Sequence, residues 1–202
     1  YDCTFSADGN LVLVSLWGKA CVQPIALSER SPRLLERIPT GDHPNEMVLS
    51  PDGIRLFVAN ANTNTVTVID TFLRVVTETL HCGIYPDALA GSTPNSLEIT
   101  PDGKQLYIAN ADNNCLAVFD ISQPGSSKPL GFVPVGWYPT SVRISPDGTK
   151  VFVANAKGLS STSNRHGPNP YWRGQQRRSF EQHIRLMLPG MLSVISLPTE
   201  RE

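Results

Sequence analysis

The chain has 202 residues, of which 40% are hydrophobic, and this is enough apolar material for an ordinary globular core. Its formal net charge of −1 excludes a whole-molecule field that would attract nucleic acid or an anionic membrane surface. No apolar run approaches the roughly 20 residues that a membrane-spanning helix needs, so no membrane span is predicted.

One sequence unit recurs four times along the chain. Its fixed point is an Asp-Gly turn, and the four turn aspartates are Asp8, Asp52, Asp102 and Asp147. A period of roughly 45 to 50 residues is typical of the four-stranded blade of a β-propeller. Each copy contains strand, tight turn, strand, turn and strand, and Asp-Gly supplies the positive φ that a short hairpin needs. The sequence therefore predicts an all-β fold, a β-propeller segment.

The predicted elements, in chain order, form about four four-stranded blades. The blades are expected at about 1–40, 41–90, 91–135 and 136–202. The predicted strands cover 3–7, 11–15, 22–27 and 34–38 in the first blade, 47–50, 55–60, 65–70 and 75–80 in the second, and 96–100, 105–110, 115–120 and 130–133 in the third.

The fourth blade departs from this pattern. Strands at 141–145 and 150–155 are followed by an insertion, 156–189, and by a strand at 191–197, with no outer strand after it. The first part of the insertion is rich in Gly, Pro, Ser and Asn, which favours a loop. Phe180, Ile184 and Leu188 then recur at helical spacing, which predicts a helix. Three blades are thus expected to be complete, and the fourth to carry a loop–helix insertion.

The first blade begins within the repeat, because Tyr1 aligns with Asn45 and Asn95 of later copies. This position predicts a processed or partial polypeptide. The expected partner is the rest of the same polypeptide, or another protein chain, that completes the propeller.

The four cysteines show no spacing typical of a zinc site. Cys3 occupies a core position of the repeat. Cys21 and Cys115 occupy equivalent places in blades two apart, so a disulfide between them is not expected. Cys82 falls in a predicted loop and is the candidate for a reactive thiol.

A search for catalytic motifs gives none, so no catalytic residue is predicted. Asp52, Asp102 and Asp147 recur in every copy, which favours turn formation over acid–base catalysis. The histidines, among them His43 and His166, meet no ligand-spacing rule, so neither a metal site nor a cofactor is predicted.

The residues that break the repeat are the candidates for binding. Loops that precede the inner strands emerge on the same face of a propeller as the insertion. An arginine cluster there would clamp an anionic or phosphorylated ligand, or would meet acidic residues at a domain interface; no nucleic acid is expected. The candidates for this binding face are His43, Tyr85, Trp137, Tyr138, Arg165, His166, Tyr171, Trp172, Arg173, Arg177 and Arg178.

Three segments, LFVANANTNTVTVID, LYIANADNNCLAVFD and VFVANAKG, resemble the YVTN repeats of YncE-like bacterial β-propellers. SLWGKACV, GWYPTSVRISPDG and LPGMLSVISLP resemble, more narrowly, the propeller of bifunctional proteins in which an alkaline-phosphatase-type phosphoesterase domain follows. This resemblance implies a periplasmic or extracellular bacterial setting. It carries no catalytic metal ligand onto these residues.

The sequence thus favours a non-catalytic scaffold for binding or docking within a larger bacterial envelope protein or complex. Two alternatives stay open. In the first, the chain is the propeller part of a secreted metal-dependent phosphoesterase. In the second, it is a structural subunit whose ring another chain completes.

Overall fold

The computed structural model describes residues 1–27, 31–159 and 188–197, which form four antiparallel sheets. In each sheet the strands pair largely in the order of the chain. The predicted all-β class is confirmed, and the described residues contain no helix long and apolar enough to cross a membrane. The strands are β1 (Cys3–Phe5), β2 (Leu11–Leu16), β3 (Cys21–Ala26), β4 (Arg33–Leu34) and β5 (Ile38–Pro39) in the first sheet; β6 (Pro44–Leu49), β7 (Arg55–Asn60), β8 (Thr65–Asp70) and β9 (Val75–His81) in the second; β10 (Pro94–Ile99), β11 (Gln105–Asn110), β12 (Cys115–Asp120) and β13 (Lys128–Pro134) in the third; and β14 (Trp137–Ile144), β15 (Lys150–Gly158) and β16 (Met191–Ser196) in the fourth.

The outer edge of the first sheet is two short strands, β4 and β5, where the sequence predicts one strand over 34–38. Pro24 lies opposite this edge in β3 and has no N–H to donate to the ladder. The side-chain amide of Gln23 donates to the Leu35 carbonyl instead, at 2.8 Å. A side chain therefore replaces a backbone bond, and the strand is interrupted there.

The fourth sheet differs from the prediction at the end that leads to the insertion. Strand β15 continues to Gly158, three residues into the predicted insertion, because Gly158 pairs with Trp137 at the start of β14. The predicted helix around Phe180 and Ile184 lies outside the described residues.

The same hydrogen-bonded turn joins the first two strands of every sheet. In the second sheet, Ser50 Oγ donates to Asp52 Oδ1 at 2.5 Å, and the Ile54 N–H donates to the same oxygen at 3.0 Å. Gly53 follows with φ of +73°, in the left-handed region that favours glycine. Equivalent bonds hold the carboxylates of Asp8, Asp102 and Asp147, so these aspartates form turns.

These turns predict sensitivity to acid. The hydrogen bond from Ser145, followed by those from Thr149, lowers the pKa of the Asp147 carboxyl to about 2. A carboxyl whose pKa is lowered by folding stabilises the folded protein at pH values above its unfolded-state pKa. That stability is lost as the pH falls through its folded-state pKa. We expect the thermal midpoint to fall between about pH 4 and pH 2, as measured by circular dichroism.

The variant Asp147→Asn no longer titrates at this turn. It should have a lower midpoint at pH 7 but a smaller fall in acid, whereas the control Asp87→Asn, in an exposed loop, should behave as the parent protein. An acid-induced fall of the same size in Asp147→Asn and in the parent would contradict the prediction.

The core consists of three apolar layers, each between two neighbouring sheets. Successive residues of a central strand face opposite neighbours: Leu56 and Val58 pack towards the first sheet, whereas Phe57 and Ala59 pack towards the third. This explains why β7 is buried on both faces. The third layer joins β11 and β12 to β14 and β15. The molecule is thus a row of stacked sheets, each held by its neighbours.

The inner strands of successive sheets are also joined by hydrogen bonds. Six residues before each of the first three turn aspartates stands a side chain that accepts a backbone N–H from the next sheet. We call Asp2, Glu46 and Ser96 the inner-strand acceptors. They bind the N–H groups of Met47 at 2.8 Å, Leu97 at 2.9 Å and Val142 at 3.1 Å, respectively.

The structure corrects two predictions about cysteines. Cys82 is fully buried in the layer between the second and third sheets, and burial raises the pKa of its thiol to about 12. Its N–H donates to the Asn64 carbonyl at 2.9 Å, which fixes it beside the core. Cys3 is exposed rather than buried, because its face of the first sheet points away from the second. All four cysteines are free thiols.

We therefore expect a thiol reagent to modify Cys3 rapidly in dilute native protein, and Cys82 only after unfolding. A thiolate is the reactive form, and a raised pKa leaves very little of it at neutral pH. The measurement is the amplitude of the fast phase of thiol modification by an aromatic disulfide reagent. Cys3→Ser should abolish that amplitude and Cys82→Ser should leave it unchanged; the opposite pattern would refute the assignment.

Candidate functional site

The inner strands β1, β6, β10 and β14 contact one another in sequence, so they converge towards a common axis. Arg143 on β14 reaches across β10 to β6, where its Nη2 lies 2.6 Å from Glu46 Oε1. Its Nη1 lies 3.6 Å from Glu98 Oε2 on β10. Side chains two sheets apart can meet in this way only where the strands converge. We call Glu46, Glu98 and Arg143 the axial cluster.

The axial cluster breaks the repeat. Glu98 and Arg143 occupy one repeat position, four residues before the turn aspartate, where the first two copies have Thr4 and Val48. This position is uncharged in the first two sheets, carries a negative charge in the third and carries a positive charge in the fourth. None of these three residues was predicted from the sequence, although the change of residue type at one repeat position is a signal for the cluster.

The two carboxylates of the cluster differ in how much of their bonding capacity is used. Glu46 Oε1 binds Arg143, and Glu46 Oε2 accepts the Leu97 N–H, so both oxygens have partners. Within the part of the chain that the structure describes, Glu98 has only the longer contact with Arg143. Glu98 is therefore the carboxylate that is available to another group.

The pKa shifts of Glu98 and Arg143 also indicate different roles for these two side chains. Burial is the main cause that raises the pKa of the Glu98 carboxyl; the nearby Glu46 adds to this rise, and Arg143 opposes it. The hydrogen bond with Glu46 is the main cause that raises the pKa of Arg143, which keeps its charge. The Arg143 side chain is 54% exposed, whereas those of Glu46 and Glu98 are 22% and 25% exposed. The cluster thus presents a fixed cation beside a half-buried carboxyl whose pKa is raised, a combination suited to proton transfer near a developing anion.

Four of the predicted binding residues lie in the described part of the chain. His43 precedes β6 and stacks on Trp17, with ring centroids 3.7 Å apart and planes at 23°. His43, just before β6, and Tyr138, at the start of β14, occupy the same repeat position, and both have left-handed φ values, 55° and 58°. Trp17 stands where later copies have a small alanine such as Ala111, a substitution that the sequence analysis did not use.

Tyr138 lies under a lysine. Lys157 Nζ is 4.0 Å from the centre of the Tyr138 ring, which is a cation–π contact. The Tyr138 N–H donates to Asn114 Oδ1 at 2.9 Å, so the preceding sheet fixes the start of β14. The neighbouring Trp137 is exposed. This corner of the fourth sheet presents two aromatic rings and one positive charge.

Tyr85 lies at a site separate from the corner formed by Trp137 and Tyr138. It lines a cleft of about 460 Å³ between the outer strands of the second and third sheets, with Glu78, His81 and Phe132 among the lining residues. Asn64 closes one end, because its amide binds the Leu89 carbonyl and the Gly91 and Ser92 N–H groups. The seven other predicted binding residues, Arg165, His166, Tyr171, Trp172, Arg173, Arg177 and Arg178, lie outside the described residues.

Within residues 1–27, 31–159 and 188–197, no group of three or more His, Cys, Asp or Glu side chains is arranged to hold a metal ion.

The chain is similar to one family model and to several solved structures. A family model described as "Lactonase, 7-bladed beta-propeller" matches residues 75–164. None of the curated proteins matches the chain. The Bacteroides uniformis protein assigned as a 6-phosphogluconolactonase is 20% identical with a TM-score of 0.68, over 76% of this chain and 46% of that one. The chain is a β-propeller segment.

Two further solved structures are similar to this chain in fold. The periplasmic gluconolactonase PpgL of Pseudomonas aeruginosa is 19% identical, with a TM-score of 0.58 over 75% of this chain and 48% of that one. Kuenenia stuttgartiensis hydrazine synthase is 24% identical, with a TM-score of 0.63 over 76% of this chain and 41% of that one. This propeller segment thus spans less than half the length of each of these structures, and at these identities the likeness concerns the fold alone.

The comparisons overturn the resemblance to YncE-like propellers that precede a phosphoesterase domain. The matching family and several structural neighbours are lactonases, so that prediction is wrong. In this chain the Asp-Gly turn forms the hairpin, and the apolar runs, one of which ends at Asn60, form the strands of the blade. They therefore identify the fold but do not distinguish one propeller family from another.

Proposed function

We propose that this propeller segment carries part of the site of a hydrolase that acts on lactones of sugar acids. The observation that carries the proposal is the axial cluster, which lies in the residues where the inner strands converge. The lactonase family match over residues 75–164 supports the substrate class. The match includes Glu98 and Arg143, and it therefore covers the two residues to which we assign chemistry.

The chemistry follows from the two side chains. Ionised Glu98 accepts a proton from a water molecule, whose oxygen attacks the lactone carbonyl carbon. The guanidinium of Arg143 stabilises the negative charge that develops on the carbonyl oxygen. The ring C–O bond then breaks, the leaving oxygen takes up a proton, and the product is an open-chain hydroxy acid. Glu46 is a positioning residue, because it holds Arg143 and the Leu97 backbone together.

The test is hydrolysis of glucono-1,5-lactone and its 6-phosphate, followed by acid release and corrected for spontaneous opening. We expect Arg143→Ala to lower kcat about 100- to 1,000-fold, as loss of an oxyanion-stabilising donor does in other hydrolases. Arg143→Lys should keep more activity than Arg143→Ala. The matched control is Arg33→Ala, which removes an exposed arginine on β4.

A second candidate is a binding scaffold without turnover, and the exposed rings of Trp17, Tyr85 and Trp137 favour it. An anionic ligand would then be held at Arg143 without reaction. No acid release with either lactone, together with gluconate binding that Arg143→Ala abolishes, would favour this candidate over the hydrolase. A bacterial envelope location remains part of either proposal, and PpgL is the neighbour that agrees with it; cell fractionation tests it.

A further inference from the structure

The cleft between the outer strands of the second and third sheets takes no part in the axial cluster. It has a volume of about 460 Å³, Glu78, Tyr85 and Phe132 are among its lining residues, and we call it the outer cleft. Strand β9 forms one wall and β13 the other, and the buried residues Leu80 and Phe119 lie at its base. Further sheets would extend the stack at its two ends, so they would not fill a cleft between its second and third members.

The loop after β9 shapes one end of the outer cleft and breaks the repeat. It connects β9 to β10 and is longer than the connections that follow β5 and β13. The Ala88 N–H donates to the Tyr85 carbonyl at 3.0 Å, which closes a tight turn, and Asn64 binds the end of the loop. The Tyr85 ring is therefore presented by a hydrogen-bonded turn that the shorter connections do not have room for.

The second ring of the outer cleft also departs from the repeat. Phe132 pairs with Ala117 across the third sheet, whereas the equivalent pair in the second sheet is Thr79 with Thr67. Phe132 is 41% exposed and Tyr85 is 62% exposed. The β13 wall and the loop thus each offer part of an aromatic ring to a ligand, and the face of such a ring attracts cations.

A carboxylate is fixed on the opposite wall. Glu78 Oε1 accepts the Ser127 N–H at 2.7 Å, and Glu78 Oε2 accepts the Ser127 hydroxyl at 2.8 Å, so both donors are neutral. Of the described residues that line the outer cleft, none is a lysine or an arginine, and His81 is the one that can gain a positive charge. Charge complementarity therefore favours a cationic ligand here, whereas Arg143 of the axial cluster favours an anionic one.

We propose that the outer cleft binds a small organic cation with an alkylated ammonium group, of the choline type. The rings of Tyr85 and Phe132 receive the alkyl groups, and the Glu78 carboxylate supplies the opposite charge. A primary ammonium fits less well, because its three N–H donors need acceptors and each Glu78 oxygen already accepts a bond. The volume of the cleft lies within the range of small-molecule sites. This site is independent of the proposed lactone hydrolysis.

The test is titration of the full chain with choline, followed by ligand-observed NMR. The comparison ligand is 3,3-dimethylbutanol, in which a carbon atom replaces the charged nitrogen of choline. We expect choline to bind and this neutral analogue to bind at least about tenfold more weakly, because it keeps the apolar contacts but loses the attraction to the rings and to Glu78.

Variants of the two rings test the assignment of the site. Tyr85→Leu and Phe132→Leu each keep an apolar side chain but remove a ring, and each should raise the dissociation constant for choline about 3- to 30-fold. Tyr85→Phe keeps the ring and should bind choline as the parent protein does. Phe72→Leu is the control, since Phe72 is 66% exposed and does not line the outer cleft.

Glu78→Gln tests the charge, and it should weaken the binding of choline but not that of the neutral analogue. Its control is Glu36→Gln, an exposed residue between β4 and β5. The proposal would be overturned if the parent protein bound no choline, or if it bound the neutral analogue equally well. Parental choline affinity in both leucine variants, at the parental thermal midpoint, would also overturn it. Tighter binding of a trimethyllysine peptide than of choline would overturn the assignment to a free small molecule.

Discussion

Glu98→Gln is expected to lower lactone hydrolysis about 100- to 10,000-fold, the usual contribution of a general base. The amide has nearly the same shape as the carboxyl but cannot accept the proton from water. The rate of the parent protein should fall in acid with an apparent pKa above the ordinary value for a glutamate, because burial raises the pKa of Glu98. This acid limb should disappear in Glu98→Gln. The measurement is kcat/KM as a function of pH.

Stability separates the catalytic role of Glu98 from a structural one. Because folding raises the pKa of Glu98, ionisation of this carboxyl opposes folding. The stability that the protonated carboxyl provides is lost as the pH rises through its folded-state pKa. Glu98→Gln should therefore be at least as stable as the parent at neutral pH. Glu36→Gln, an exposed residue between β4 and β5, is the control that should leave both rate and stability unchanged. A Glu98→Gln variant with parental kcat/KM would remove Glu98 from the proposed mechanism.

Gly53→Ala should destabilise the protein more than the same change at Gly103. Both glycines have φ near +70°, where an L side chain costs about 1 to 2 kcal/mol. A Cβ at Gly53 would also overlap the Cβ of Ala7 in the turn of the first sheet, whereas a Cβ at Gly103 would be 3.7 Å from Pro51 Cδ. We expect a loss of about 2 to 5 kcal/mol for Gly53→Ala, since overlap adds about 1 to 3 kcal/mol to the backbone term.

The measurement is the free energy of unfolding in urea. The matched test is the double variant Ala7→Gly with Gly53→Ala, which removes the overlap and keeps the backbone strain. It should be more stable than Gly53→Ala and close to Gly103→Ala. Equal losses for Gly53→Ala and Gly103→Ala would show that the two turns do not differ in the way the contacts indicate.

Local sequence signals were sufficient for the central strands. The second and third strands of the middle copies, such as Arg55–Asn60 and Cys115–Asp120, were predicted with the bounds that the structure has. Asp-Gly fixes where the hairpin turns, and the apolar run between two such signals fixes the strand. The edges were predicted less well, because there a single side chain such as Gln23 decides whether the ladder continues.

The axial cluster could not be predicted by the same means. Glu46 and Arg143 are 97 residues apart, and their contact depends on how far the inner strands converge, which no local pattern encodes. The exposure of Cys3 and the burial of Cys82 likewise depend on which sheet lies next to each thiol. Sequence reasoning identified the repeat positions, but only the packing of the sheets shows which of them meet.

The inner-strand acceptors have a consequence for how such a propeller can change. An aspartate, a glutamate and a serine each accept a hydrogen bond from the backbone N–H at the equivalent position of the following sheet. The bond between sheets is thus satisfied by a charged or a neutral side chain alike. The axis can gain or lose a negative charge through a single substitution at this position while the stacking of the sheets is kept. One scaffold can therefore be adapted to ligands of different charge without being rebuilt.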